Sequence, residues 1–182
     1  KINAWGSIGL DITDMKVNSS FIGQDYHLQK NFILPTTNLG LNYEFSQGKR
    51  LSLYQFSDFT IPTAEQLSPY VDTSNPLISY QGNPNLKNTW SNTMYLFFNN
   101  SNIVKNINYY FNIGFTHKSN DIINYSTYDA DGKQYITYAN VNGNKNINLG
   151  GSFSKTFKWK DNKLTINPKL NMNYAFTKGF VD

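Results

Sequence analysis

The chain has 182 residues, of which 15% are charged and 16% aromatic, and it carries a net charge of +4 without any cysteine. The missing cysteines exclude disulfide frameworks, thiolate metal sites and cysteine nucleophiles, and a mild charge without a concentrated basic run argues against nucleic-acid binding. No run of eighteen apolar residues exists, which excludes a membrane-spanning helix, whereas a spanning β-barrel needs only every second residue to be apolar.

Alternation of apolar and polar residues predicts an all-β chain. Between positions 105 and 117, Ile107, Phe111 and Phe115 alternate with polar residues such as Asn108 and Asn112. Similar patterns predict seven long strands, near residues 2–13, 33–45, 50–59, 90–98, 105–117, 146–159 and 164–176. Strands of this length exceed the roughly five or six residues usual in soluble proteins and are long enough to cross a hydrocarbon layer.

The connections between these strands alternate in length. Long segments at 18–30, 62–88 and 118–145 are separated by short turns at 46–49, 99–104 and 160–163. All short turns therefore lie at one end of the sheet, which is typical of outer-membrane barrels with short periplasmic turns and long extracellular loops. Aromatic residues near the short turns predict a girdle at the membrane interface: Tyr43, Phe45, Phe97, Phe98, Phe157 and Trp159.

Motifs that could carry catalysis or hold a metal are scarce. His27 and His117 are far apart and have no second ligand at metal-binding spacing, so we predict no metal, no cofactor and no enzymatic activity. The segment DADGK at 129–133 is superficially similar to the start of a calcium loop but lacks the later glutamate. Its Asp-Gly pair instead predicts the tip of a small β-hairpin inside the long segment 118–145.

The long segment 62–88 carries the most specific signal. It reads PTAEQLSPYVDTSNPLISYQGNPNLKN, with four prolines, the run SNPL at 74–77 and the run GNPNLK at 82–87. This ordered combination resembles the corresponding loop of TonB-dependent receptor-like outer-membrane β-barrel proteins of the Bacteroidota type, and the upstream hairpin at 37–59 is similar as well. In that family GNPNLK is usually followed by Pro-Glu, whereas Asn88 and Thr89 follow here.

The resemblance implies an antiparallel up-and-down transmembrane β-barrel in the outer membrane of a Gram-negative bacterium. Residues 1–182 would form part of one barrel domain, about seven long strands plus a small loop hairpin, with the plug domain and barrel closure outside this chain. The implied function is uptake of a scarce nutrient bound at extracellular loops. The implied partners are outer-membrane lipid, the plug domain of the same longer chain and an inner-membrane energy-coupling complex.

Within the long segment, Tyr70, Tyr80, Asn83 and Asn85 are the predicted ligand-contact residues, although packing of each onto the barrel rim explains it equally well. Prolines stiffen such a loop, so that it could shape a ligand entrance. A soluble secreted β-sandwich that binds glycans on exposed tyrosine and tryptophan residues is the alternative. A sandwich would bury its apolar strand faces against a second sheet, whereas a barrel shows them to lipid.

Overall fold

The computed structural model describes residues 1–21 and 24–179. In this part the backbone forms strands almost throughout, and the helical exception is the single turn α1 (Ala64–Leu67). No helix in the described residues is long and apolar enough to cross a membrane. The strands are β1 (Ile2–Phe21), β2 (Gln24–Ser46), β3 (Lys49–Thr60), β4 (Val71–Asn75), β5 (Ile78–Gln81), β6 (Thr89–Asn102), β7 (Ile107–Ser119), β8 (Asp121–Tyr128), β9 (Gln134–Val141), β10 (Asn144–Trp159), β11 (Asn162–Ile166) and β12 (Lys169–Phe176).

The long strands form one antiparallel sheet in the order β1-β2-β3-β6-β7-β10, and both β11 and β12 pair with β10. This is the predicted up-and-down arrangement, with β11 and β12 sharing the place of the seventh strand. The sheet stays open, because no pairing joins β1 to β11 or β12 within the described residues. The architecture is therefore a partial all-β barrel.

Pro168 explains why the seventh strand is split. A proline lacks the N–H that a ladder requires, so the strand is interrupted at residues 167–168. The pairing of β10 then resumes on the other side, and the Pro168 carbonyl still accepts a hydrogen bond from the Phe153 N–H at 3.1 Å. The predicted alternation through this proline holds, but as two consecutive strands.

The first hairpin differs from the prediction, since β1 and β2 continue through most of the expected loop at 18–30. Their antiparallel register runs unbroken from Ile2 opposite Tyr43 to Phe21 opposite Gln24. Residues 22 and 23, in the middle of the predicted loop, lie outside the described part. The loop prediction at 18–30 was wrong because the apolar positions change face: Val17 and Phe32 are buried on the side opposite the exposed Ile8 and Ile33.

The predicted division of the sheet into two faces is confirmed by the strand register. Directly paired residues of antiparallel strands share a face, and side chains alternate along each strand. The pairs Phe153–Tyr109, Gly151–Phe111 and Gly151–Leu170 accordingly place the apolar set of β7, β10 and β12 together. This outward face carries Ile107, Phe111, Phe115, Phe153, Leu170 and Met172, and the inward face carries Asn108, Asn112, Ser152, Asn171 and Asn173.

Cationic side chains bound the outward face at both ends. On β10, Lys145 and Lys155 are outward positions at opposite edges, and the outward residues between them are uncharged. Ten residues span about 33 Å along a strand, which at a tilt of 35–45° corresponds to an apolar band of about 25 Å. That height matches the lipid-facing band of outer-membrane barrels.

The aromatic girdle lies at the short-turn edge of this band. Tyr43 and Phe45 have ring centroids 4.4 Å apart, and the Lys49 ammonium lies 5.4 Å from the Phe45 centroid. The Lys155 ammonium lies 5.6 Å from the Phe157 centroid in the same way. An aromatic ring with an adjacent ammonium group suits the boundary between hydrocarbon and headgroups.

One predicted girdle residue, Phe97, points the other way. Consecutive strand residues face opposite sides, so Phe98 joins the girdle while Phe97 lies on the inward face with Tyr54 at 5.8 Å and Tyr95 at 5.7 Å between ring centroids. The Tyr95 ring lies over Gly114 of β7, where a Cβ would come within 2.8 Å of a ring atom. Aromatic rings therefore cover part of the inward face.

An arginine on the outward face should destabilise the protein far more than one on the inward face. Leu170 shares a row with Phe111 near the middle of the apolar band, and Asn171 is its inward neighbour. We expect Leu170→Arg to lower the free energy of unfolding from lipid vesicles by about 2–4 kcal/mol. Asn171→Arg should change it by less than about 1 kcal/mol. Denaturant titration of the full-length protein in vesicles measures both, and equal losses would contradict the assignment of faces.

The ends of the sheet can be tested by labelling, because residues 1–182 contain no cysteine. A membrane-impermeant maleimide applied to intact cells should modify Asp131→Cys, at the tip of the β8–β9 hairpin, but not Asp161→Cys in the short turn after β10. Both positions are exposed. Modification of Asp161→Cys before cell lysis would show that the barrel has the opposite orientation.

Candidate extracellular binding site

The long segment 62–88 folds into an ordered structure with its own cap. Thr63 begins α1 with a capping box, in which its hydroxyl accepts from the Gln66 N–H at 3.2 Å and the Gln66 side chain accepts from the Thr63 N–H at 2.9 Å. The side chains of Pro62, just before α1, and of Leu67, its last residue, are fully buried. The strands β4 and β5 follow as a short hairpin. The prolines thus belong to a defined loop structure.

The two long segments after β3 and after β7 join into a second sheet in the order β4-β5-β9-β8. The predicted small hairpin is confirmed as β8 and β9, with its tip at Asp129–Lys133. There the Asp129 carboxylate accepts from the N–H groups of Asp131 at 3.0 Å and Lys133 at 2.9 Å, which is turn chemistry. Unexpectedly, β5 and β9 pair in parallel, with Ile78 opposite Gln134.

Side-chain amides fasten this second sheet to the neighbouring backbone. The Asn140 amide accepts from the Lys87 N–H at 2.8 Å and donates to the carbonyls of Lys87 at 3.0 Å and Asn120 at 2.7 Å. The Asn83 amide donates to the Tyr138 carbonyl at 2.9 Å. Because these bonds connect different loops, the loops form one unit.

A small hydrophobic cluster holds the unit against the first hairpin. Its buried members are Val17 from β1, Leu67 from α1 and Leu86 from the end of the long segment, and Tyr138 packs against them. The Lys30 ammonium of β2 donates to the Leu86 carbonyl at 2.9 Å. The loops therefore pack against the extended β1–β2 hairpin.

These elements enclose a cavity of about 380 Å³ between α1, the β4–β5 hairpin and β9. Tyrosines 70, 80 and 138 contribute aromatic rings, and Glu65 and Asp72 contribute carboxylates. The Tyr26 ring supports that of Tyr70 edge-on, with centroids 6.3 Å apart. The other lining residues are Ser68, Val71, Gln81 and Gly82.

The structure brings two of the four predicted ligand-contact residues together. Tyr70 and Tyr80 line the cavity, whereas Asn83 and Asn85 do not. The Asn83 side chain accepts from the Asn85 N–H at 2.9 Å while donating to the Tyr138 carbonyl, so it shapes the loop. A ligand contact by either asparagine stays a prediction. Sequence reasoning missed Tyr138, since no local pattern ties β9 to the segment 62–88.

The cavity has a negative electrostatic field. A hydrogen bond from the Ser74 N–H, 2.9 Å from Asp72 Oδ1, holds the pKa of that carboxyl below its usual value. Burial raises the pKa of the Tyr138 phenol, and the nearby Glu65 charge raises it further. The Gln81 side-chain amide nitrogen donates a hydrogen bond to the Pro69 carbonyl at 3.0 Å. The lining therefore combines the Glu65 side chain, an Asp72 carboxyl whose lowered pKa favours its ionised form, and a Tyr138 phenol whose raised pKa favours its neutral form.

The histidines lie away from this cavity. His27 is within 2.9 Å of the Asn18 side-chain oxygen through Nδ1, and His117 lies on the outward face opposite Lys145. Among residues 1–21 and 24–179, no group of three or more histidine, aspartate or glutamate residues could hold a metal ion. The absence of a metal stays a prediction from the sequence.

Comparison with known proteins identifies a family and several solved structures of similar fold. Residues 5–181 match the model of the outer membrane protein beta-barrel family. The fold is similar to that of the hemophore receptor HasR of Serratia marcescens, solved as a double mutant with its hemophore HasA and heme. The TM-score is 0.53 at 9% identity, over 93% of this chain and 30% of that receptor chain. No curated protein sequence matches.

Asn140 offers a test of the coupling between the loops. Replacement by alanine removes three hydrogen bonds, and we expect the loops to open locally at a cost of about 1–3 kcal/mol. Hydrogen exchange of the full-length protein should then speed up in both 82–88 and 134–141. Asn124→Ala, at an exposed position of β8, is the control. Faster exchange in only one of the two segments would show that the loops open independently.

Proposed function

Since this chain belongs to the outer membrane protein beta-barrel family, we propose that it takes part in the uptake of a scarce nutrient captured at its extracellular loops. The protein is a receptor-like barrel of the Gram-negative outer membrane. The proposal adds that the protein imports the captured molecule, and that it does so without a catalytic step.

The observation that carries the proposal is a preformed cavity held on rigid loops above a lipid-spanning sheet. Loops that need no ordering when a ligand arrives bind at a lower entropic cost. The parallel β5–β9 pairing and the Asn140 hydrogen bonds fix the positions of Tyr80 and Tyr138 on opposite loops before binding. Such an arrangement suits capture of a dilute molecule better than a pore mouth that stays open to diffusion.

Two further partners follow from the proposal. Import against a gradient requires a plug that blocks the lumen and an inner-membrane complex that supplies energy to displace it. The structural relative HasR is described as a hemophore receptor in complex with its hemophore HasA and heme, which is consistent with ligand capture on this fold. We propose the plug and the energy-coupling complex as partners of the longer protein.

The alternative of a soluble glycan-binding sandwich has less support. A sandwich needs a second sheet over the apolar face. In the described residues, the second sheet packs at the loop end, and outward residues such as Leu170 and Met172 are 62% and 58% exposed. An exposed apolar face of this extent fits lipid contact.

The proposal can be tested by depletion of nutrients from the medium. Cells with and without the full-length protein receive a mixture of peptides, oligosaccharides and metal chelates, and mass spectrometry follows what disappears. We expect one class to be depleted only when the protein is present and only while the inner-membrane proton gradient is intact. Equal depletion by both strains would refute uptake.

The cavity can then be tested with one substitution and its control. Tyr80→Ala removes an aromatic wall, and we expect depletion of that class at limiting concentration to slow by about tenfold, since buried tyrosines often dominate binding. Tyr128→Ala removes an exposed ring elsewhere on the second sheet and should leave the rate unchanged. A normal rate in Tyr80→Ala would place the capture site outside this cavity.

A further inference from the structure

We infer that the cavity between α1, the β4–β5 hairpin and β9 takes an organic cation, either the ammonium or guanidinium group of a basic peptide or a free amine. This inference deepens the proposed function, because it names the chemical class of the captured molecule.

The first support is the composition of the lining. Three tyrosine rings and two carboxylates face one cavity, and no lysine, arginine or histidine is among the lining residues. Tyrosine faces attract a cation through their quadrupole, and carboxylates attract it directly. An anionic ligand would meet repulsion from both groups.

The second support is that neither carboxylate has a counter-ion within the part of the chain that the structure describes. The ion pair found in residues 1–21 and 24–179 joins Lys118 to Asp121, at 3.5 Å, and involves neither Glu65 nor Asp72. Asp72 has a hydrogen bond from Ser74 through one oxygen. A carboxylate has two oxygens with about four acceptor positions, so acceptor capacity is left for a donor in the cavity.

The third support is the contrast with a neutral ligand. A sugar could stack on Tyr70 or Tyr80 and donate hydroxyl groups to the carboxylates. Its hydroxyl groups would leave both negative charges without a counter-charge, whereas a cation compensates them, so the complementary ligand is positive. Because Glu65 and Asp72 are exposed, salt screens this attraction.

The size of the cavity limits how much of the ligand it holds. At about 380 Å³ it lies near the lower end of the range of about 300–1,000 Å³ for small-molecule sites. It therefore accommodates one side chain or a short amine, and the remainder of a peptide would lie outside the cavity.

Calorimetry on the full-length protein in detergent tests the inference. The probes are a capped tripeptide with a central lysine, the same peptide with Nε-acetyllysine, spermidine and maltotriose. We expect the lysine peptide or spermidine to bind at least about tenfold more tightly than the acetylated peptide and maltotriose, and binding should weaken as salt rises. Preference for the lysine peptide identifies a peptide side chain as the source, and preference for spermidine identifies a free amine.

The matched variants are Glu65→Gln with Asp72→Asn, which keep shape and the hydrogen bond from Ser74, and Asp131→Asn, which removes an exposed charge elsewhere on the same second sheet. The double variant should lose about tenfold or more in affinity for the cation, and the control should lose none. Unchanged affinity in the double variant, tighter binding of maltotriose, or no cation binding up to about 10 mM would overturn the inference.

The outcome is independent of nutrient uptake. If the lysine peptide binds as expected but is not depleted by cells, the ligand class holds and import fails. If cells import another class while no cation binds, the proposed function holds and this inference fails.

Discussion

Every structural feature of this protein depends on one constraint, which is that backbone N–H and C=O groups inside a lipid layer have no water to bind. Strands satisfy these groups only through neighbouring strands, so the long strands β1, β2, β3, β6, β7 and β10 must pair side by side, and β11 and β12 pair in turn with β10. Once the backbone is paired, side chains are free to differ on the two faces. Along β10 the outward residues between Lys145 and Lys155 can all be uncharged and mostly apolar, while amides such as Asn112 and Asn173 face inward.

This constraint explains which parts of the fold were predictable from sequence. The alternation in β7, β10 and β12 has a physical cause in the contrast between lipid and lumen, so it identified both faces correctly. The short turns were predictable for the same reason, because they interrupt the alternation of apolar and polar residues. Phe97 was placed on the wrong face only because neighbouring aromatics were grouped by position, although strand geometry sends Phe97 and Phe98 to opposite sides.

Outside the membrane the two faces of a strand are no longer divided between lipid and lumen. The alternation of apolar and polar residues that predicts the faces is therefore lost. In the upper part of β1 and β2 the inward face is the buried one: Val17 packs there against Leu67 and Leu86 of the loops, and Phe32 is buried on the same face. Because the apolar positions change from one face to the other along β1 and β2, the alternation is interrupted, and the sequence predicted a loop where the hairpin continues. The candidate site was half predictable: Tyr70 and Tyr80 lie in a distinctive segment, but Tyr138 reaches them only through a parallel pairing between distant strands, which no local sequence pattern indicates.

The parallel pairing of β5 and β9 also bears on how such a protein can diversify. Loops of a barrel are ordinarily free to gain and lose residues independently, because each is anchored only by its own two strands. Here Ile78 opposite Gln134 ties part of one loop to part of the other. Residues can still be added at the hairpin tips, but an insertion within β5 or β9 would shift the pairing of both loops, so these two strands constrain each other's sequence as a single module.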